Sequence, residues 1–249
     1  MAAILSAADG ARADDFHSLL EKRTFADAHG TKLSYRLLKP EQIEAGAKYP
    51  LVVFLHGAGE RGNDNEAQLI HGVREFATPE HRKKYPCFLI APQCPNGKRW
   101  VEVDWSSKSH RLPKEPSEPL RLTVELVESL AKELPIDPKR VYITGLSMGG
   151  YGVWDVLARK PELFAAAVSV CGGGDIETAE RIKEIPVWLF HGDQDGAVPV
   201  SRSRDMVAAL RKAGAHPKYT EYPGIGHNSW DAAYKDADMH AWLFAQKRK

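Results

Sequence analysis

Val141-Tyr142-Ile143-Thr144-Gly145-Leu146-Ser147-Met148-Gly149-Gly150 is the stretch that decides the fold. A short apolar run stops at a glycine, and a serine follows with a glycine two residues to either side. The residues beyond it, to about 159, read as a helix that ends before Pro161. G-x-S-x-G recurs by chance in many chains. Between a strand and a helix it reads as a nucleophile elbow, a sharp turn that lifts the serine hydroxyl above the sheet edge. Side chains at 145 and 149 would collide with neighbouring elements there. A helix opening at Met148 points its free amides at any oxyanion that forms.

Outward from this point the chain alternates strands and helices. Residues 51–55 and 87–91 are continuous apolar runs, which suit strands covered on both faces. Residues 32–39 alternate through Leu33, Tyr35 and Leu37 as an early strand. Leu122, Leu126, Leu130 and Leu134 make residues 120–134 an amphipathic helix. Further strands are expected at 165–170, 186–190 and 218–222. A helix is expected at 201–213, stopped by Gly214, and the tail from Ser229 reads as helical. This order predicts an α/β fold: a mostly parallel central sheet with helices on both faces. With no repeat and no low-complexity linker, residues 1–249 read as one domain. Residues 1–22 form an N-terminal extension, and residues 97–119 a long loop near the site. Only residues 171–185 separate two late strands, which leaves no room for a large cap.

The 249 residues carry 34 Lys plus Arg against 33 Asp plus Glu, a formal net charge of +1. That balance excludes the basic footprint of a nucleic-acid binder. With 43% hydrophobic and 27% charged residues, the composition is that of a globular protein. No apolar run approaches the ~18 residues of a membrane span. Cys87, Cys94 and Cys171 are too few for a disulfide framework and read as small buried hydrophobes. No cluster has metal-ligand spacing, so no metal and no cofactor is expected. Residues 1–13 include Ala2-Ala3-Ile4-Leu5 but no Lys or Arg before Arg12. The expected location is therefore cytoplasmic, or secreted where a leader has been cut away. The runs His81-Arg82-Lys83-Lys84 and Lys247-Arg248-Lys249 read as solvated faces.

A serine nucleophile needs a base, and the base an orienting carboxylate; in this fold they follow in the order Ser, acid, His. Asp195, in His191-Gly192-Asp193-Gln194-Asp195-Gly196, follows a late strand and is the preferred acid. Asp193 reads as a turn residue, and Asp175, after three glycines, is the second choice. His227, in Gly224-Ile225-Gly226-His227, follows the last strand and is the preferred base. Of the other histidines, His56 and His191 end strands and read as structural. His240 is expected on a helix surface, and His29, His81 and His216 in solvated loops. The oxyanion donors are assigned to the amides of Met148 and Ala58, with Gly59 the alternative to Ala58. The loop His56-Gly57-Ala58-Gly59-Glu60-Arg61-Gly62 has three glycines that admit substrate closely, so Gly57 and Gly59 are substrate contacts. Glu60 and Arg61 are read as a pair that pins this loop. Trp100 and Trp105 are expected to wall the pocket.

These pieces together resemble the α/β-hydrolase superfamily over nearly the whole chain. The similarity runs to dienelactone hydrolase, phospholipase/carboxylesterase and polyhydroxybutyrate-depolymerase-like esterases. It rests on Phe54 to Gly62, Gly145 to Gly150, His191 to Pro199 and Gly226-His227. "LHGAGERG" with "APQCP" is similar to bacterial proteins labelled predicted peptidases or esterases. The resemblance implies Ser147 as nucleophile, Asp195 as acid, His227 as base, and Ala58 and Met148 as oxyanion donors. Serine stands where dienelactone hydrolase uses cysteine.

The expected function is a serine carboxylester hydrolase of small or medium acyl esters, acting on a small-molecule ester through an acyl-enzyme. Activity should rise through about pH 6–7.5 as a neutral imidazole becomes available. A peptidase or acylaminoacyl-type hydrolase would use the same triad but usually carries a gating domain. A non-catalytic binding protein would be favoured by loss of a triad member, and all three are present.

Overall fold

The apolar run ending at His56 becomes a strand with no solvent-facing position. In the computed structural model, which describes residues 16–248, every residue of Tyr49–Leu55 is buried. Eight strands form one sheet: β1 (Leu20–Ala26), β2 (Lys32–Leu38), β3 (Tyr49–Leu55), β4 (Phe88–Pro92), β5 (Ile136–Leu146), β6 (Ala166–Val170), β7 (Val187–Gly192) and β8 (Lys218–Tyr222). Their spatial order is β1-β2-β4-β3-β5-β6-β7-β8. β2 is antiparallel to both β1 and β4, and the other neighbours are parallel.

Among the described residues, eight α-helices follow the same chain order: α1 (Val73–Ala77), α2 (Pro79–Lys84), α3 (Glu118–Glu133), α4 (Met148–Arg159), α5 (Ala179–Ile182), α6 (Ser201–Lys212), α7 (Trp230–Ala233) and α8 (Ala237–Ala245). Strand residues alternate between two cores. Leu51, Val53 and Leu55 join side chains of α3, α4 and α6. Val52 and Phe54 join side chains of α1 and α8 on the opposite face. This two-sided burial is why the parallel strands read as unbroken apolar runs.

The expected α/β layering is present, with differences at its edges. Of the expected N-terminal extension, residues 1–15 lie outside the described residues, and from Leu20 the chain forms β1, paired along its length with β2. The burial of β1 alternates with many exposed positions, as an edge strand's does, so its apolar signal is thin. The helical tail is two helices, α7 and α8, separated near Tyr234 to Asp236. α6 ends as expected. Gly214 stands at φ 88°, with the Ala215 amide donating to the Leu210 carbonyl at 2.9 Å and the Gly214 amide to Arg211 at 3.0 Å. Between β6 and β7 there is only a 3-10 turn (Ile176–Thr178) and α5, so no large cap covers the sheet edge. Among the described residues no helix is long and apolar enough to cross a membrane.

Candidate active site

The turn from β5 into α4 holds Ser147 at φ 52° and ψ −118°, a left-handed backbone that side chains rarely adopt. Two contacts hold the turn in this strained state. The Ser147 amide donates to the Val170 carbonyl at 2.9 Å, and its own carbonyl accepts from the Tyr151 amide at 3.1 Å. Gly149 is required by sterics: a Cβ there would sit 1.9 Å from the Leu55 carbonyl oxygen. The end of β3 and the start of α4 therefore meet backbone to backbone. Met148 is the first residue of α4, so its amide has no acceptor within the helix.

Ser147, Asp195 and His227 come together from three strand ends. His227 Nε2 lies 2.9 Å from Ser147 Oγ, and His227 Nδ1 lies 2.7 Å from Asp195 Oδ2. An imidazole so placed can take the hydroxyl proton on one nitrogen while the carboxylate holds the proton on the other. The Asp195 side chain is sealed from solvent and that of His227 half-buried. Asp195 Oδ1 accepts the Ala197 and Val198 amides, each at 2.8 Å, and His191 Nε2 stands 3.2 Å from Oδ2. Burial alone would raise this carboxyl. The hydrogen bonds from His191, His227 and the Val198 amide outweigh it and hold Asp195 well below the usual carboxylate range.

The two loops that carry this pair are in direct contact. A Cβ on Gly192 would meet the Ile225 and Gly226 carbonyl oxygens at 2.2 and 2.4 Å. The Gln194 amide donates to the Ile225 carbonyl at 3.0 Å. Asp193 stabilises a turn as expected, but it is the turn of the His227 loop: its Oδ1 accepts the Gly224 amide at 2.7 Å. Asp175 lies elsewhere. It caps the 3-10 turn through the Glu177 amide at 3.1 Å and holds the long loop through the Leu112 amide at 2.8 Å.

The loop after β3 lies against the serine. A Cβ on Gly57 would stand 3.7 Å from Ser147 Cβ. Ala58 opens a 3-10 turn, Ala58–Glu60, so its amide, like that of Met148, begins a helical turn. A Cβ on Gly59 would meet open space. His56 fixes the base of the loop: its Nδ1 donates to the Gly57 carbonyl at 2.6 Å and its Nε2 accepts the Cys94 amide at 2.9 Å. Gln93 was not singled out from the sequence, yet it braces the far side. Its Oε1 accepts the Asn65 amide and its Nε2 donates to Asp64 Oδ1, both at 2.7 Å. The signal was a polar residue enclosed in Ala91-Pro92-Gln93-Cys94-Pro95, directly after a buried strand.

Several expectations are corrected. Trp100 does not wall a pocket: it is fully buried, with its indole N–H donating to the His56 carbonyl at 3.0 Å. Trp105 stays half-buried, under the Arg99 guanidinium at 4.5 Å, and its carbonyl accepts the Tyr151 hydroxyl at 3.0 Å. Glu60 and Arg61 do not pair; Arg61 Nε donates to the Ala58 carbonyl at 2.8 Å. His81 and His240 are not solvated but buried together, ring centroids 4.8 Å apart, against Phe76 and Phe244. Arg202 carries no local signal of its place: it is buried between the Tyr151 ring, the His110 ring and the Gly174 carbonyl beneath the long loop.

The buried histidines tie stability to pH. Burial pushes His56 down to about 4, His81 to about 3 and His110 to about 4, and it lowers His240. Each contributes stability as the neutral ring, fully present above the unfolded histidine value near 6.5 and lost as pH falls toward the folded value. Unfolding near pH 5 should therefore take up about three protons on His56, His81 and His110, and His240 adds in the same direction. Urea melts from pH 7 to 4.5 check this as the slope of unfolding free energy against pH, and a flat profile between 7 and 5 would contradict it.

Among the described residues, one group could present three ligand atoms to a metal: Cys171, Asp195 and His227, within 4.8 Å of one another. Burial pushes the Cys171 thiol up, and Asp195 and His227 already face each other. All three cysteines are free and buried.

The sequence profile of the phospholipase/carboxylesterase family matches residues 41–242. The chain belongs to that family. It is a hydrolase of the carboxylesterase type with the α/β-hydrolase fold. It is 27% identical over 204 residues to a probable carboxylesterase of Oryza sativa subsp. japonica, covering 76% of this chain and 86% of that one. It is 26% identical over 198 residues to acyl-protein thioesterase 1 of Neurospora crassa, covering 72% and 80%. The crystal structure of a thermostable esterase superimposes with a TM-score of 0.88 at 42% identity over 94% of this chain. This chain spans 64% of that esterase's length.

Proposed function

We propose that this family member is a serine carboxylester hydrolase of small or medium acyl esters, with Ser147 as nucleophile, His227 as base and Asp195 as its orienting acid. The observation that carries the reading is the His227 ring, 2.9 Å from the Ser147 hydroxyl and 2.7 Å from the Asp195 carboxylate. Ser147 Oγ attacks the ester carbonyl carbon as its proton passes to His227 Nε2. The carbonyl π pair moves onto oxygen, which the Ala58 and Met148 amides stabilise. The oxyanion collapses, the C–O bond to the alcohol breaks, and His227 returns the proton to the departing oxygen. Water then repeats the sequence on the acyl-serine, releasing acid and restoring Ser147. Gly57 and Gly59 flank the acyl carbonyl, and Trp105 the acyl chain.

A p-nitrophenyl ester series with an organophosphonate probe tests this. Turnover of acetyl to hexanoyl esters, covalent labelling at Ser147 and full activity in excess EDTA are expected. Activity abolished by EDTA and restored by zinc would overturn the mechanism.

A further inference from the structure

Glu60 is an anomaly beside the nucleophile. It is 7% exposed, and its Oε2 is sealed from solvent without a hydrogen-bond partner. The His71 ring is close by, but its Nε2 stands 3.8 Å from Oε1, beyond a hydrogen bond. A buried carboxylate oxygen left unpaired is costly, and such exceptions ask for a function. Its position is informative. The point where a Gly57 Cβ would lie is 2.8 Å from Glu60 Oε2 and 3.7 Å from Ser147 Cβ. The unpaired oxygen therefore flanks the proposed nucleophile.

In the proposed reaction His227 protonates the departing alcohol, so that alcohol lies on the side of His227. There Trp230 stands edge-on to His227 with centroids 5.2 Å apart, and His71 is 5.2 Å from Trp230. His71 and Trp230 also line a cleft of about 370 Å³, together with Ile70, Gly72, Asp231 and Lys235. Trp230 brings a second orphan, an indole N–H that is buried and makes no hydrogen bond. This side of the site thus has one unmet acceptor and one unmet donor. Hydroxyl groups both donate and accept, so an alcohol with several of them offers a partner of each kind, whereas an ammonium only donates and an alkyl chain does neither.

We propose that Glu60 is the specificity-determining acceptor of a leaving-group subsite for alcohols that carry further hydroxyl groups, such as glycerol or sugar esters. The inference rests on the esterase reading and names the alcohol side of it. A site built to bond a hydroxyl discriminates strongly against an analogue that lacks it, because its polar groups are then buried unpaired.

Glyceryl monoacetate and propyl acetate share the acyl group and differ by two hydroxyls on the alcohol. Titration of released acid at fixed pH gives kcat/KM for each. The wild-type protein should favour glyceryl monoacetate at least about 10-fold, a threshold well below what a pocket built to bond a hydroxyl can reach. In Glu60→Leu the ratio should fall toward one, with Ser147 still labelled by the phosphonate. Glycerol should also inhibit the wild type at lower concentration than 1-propanol, a measurement that needs no variant. A wild-type ratio near one, or a ratio unchanged in Glu60→Leu, would overturn the proposal while the esterase reading stands. A wild type that is not labelled and cleaves neither ester would overturn both.

Discussion

Ser147→Ala is expected to lower ester turnover by about 10⁴- to 10⁶-fold while leaving the melting temperature nearly unchanged. The proposed nucleophile contributes its Oγ to one contact, the 2.9 Å approach of His227 Nε2. The turn itself is held by backbone: the Ser147 amide on Val170, its carbonyl on Tyr151, and the Gly149 contact with Leu55. Alanine removes the attacking atom and none of these. The residual rate would come from oxyanion stabilisation and binding alone. Purified variant protein assayed with p-nitrophenyl acetate, beside a thermal melt, checks both halves. Retention of a tenth of wild-type turnover would end the assignment.

Asp195→Asn is expected to cost about 10⁴-fold in kcat, the scale seen when an amide replaces the acid of a Ser-His-Asp site. Oδ1 accepts two backbone amides, so the new NH2 group is driven to the other position, facing His227 Nδ1. A donor there forces the imidazole to accept on Nδ1 and carry its proton on Nε2, where it can no longer receive the serine proton. Asp175→Asn and Asp193→Asn are the controls. Their carboxylates bind the long loop and the Gly224 turn, and neither is bonded to His227. If Asp175→Asn proved the more damaging to kcat, the acid would lie after β6 instead.

What was legible in the sequence was whatever lies next to a strand end. Ser147, Asp195 and His227 each follow a strand within a glycine-bearing segment, and the sheet brings those ends together without further instruction. Harder to read were features decided by contacts between segments distant in sequence. Trp100, in a proline-bearing loop, has the composition of a pocket wall. Its burial depends on a carbonyl 44 positions away, at His56. His81 sits in a basic run, and only the docking of α8 encloses it. Glu60 reads as half of an ion pair with its neighbour Arg61. The backbone instead turns Arg61 onto the Ala58 carbonyl and leaves one Glu60 carboxylate oxygen without a partner. β1 is hard to read because an edge strand needs little apolar signal of its own.

The contact of Gly192 with Ile225 and Gly226 has a bearing on how this protein can be remodelled. Two stretches some thirty positions apart share one backbone surface, so an insertion in either shifts the register of the other. Length variation is tolerated where the chain makes few such contacts, as at the largely exposed residues 106–109. Residues 192–199 and 223–228 are instead a cassette: a graft onto a related scaffold must carry both together, since either alone would arrive without its mate.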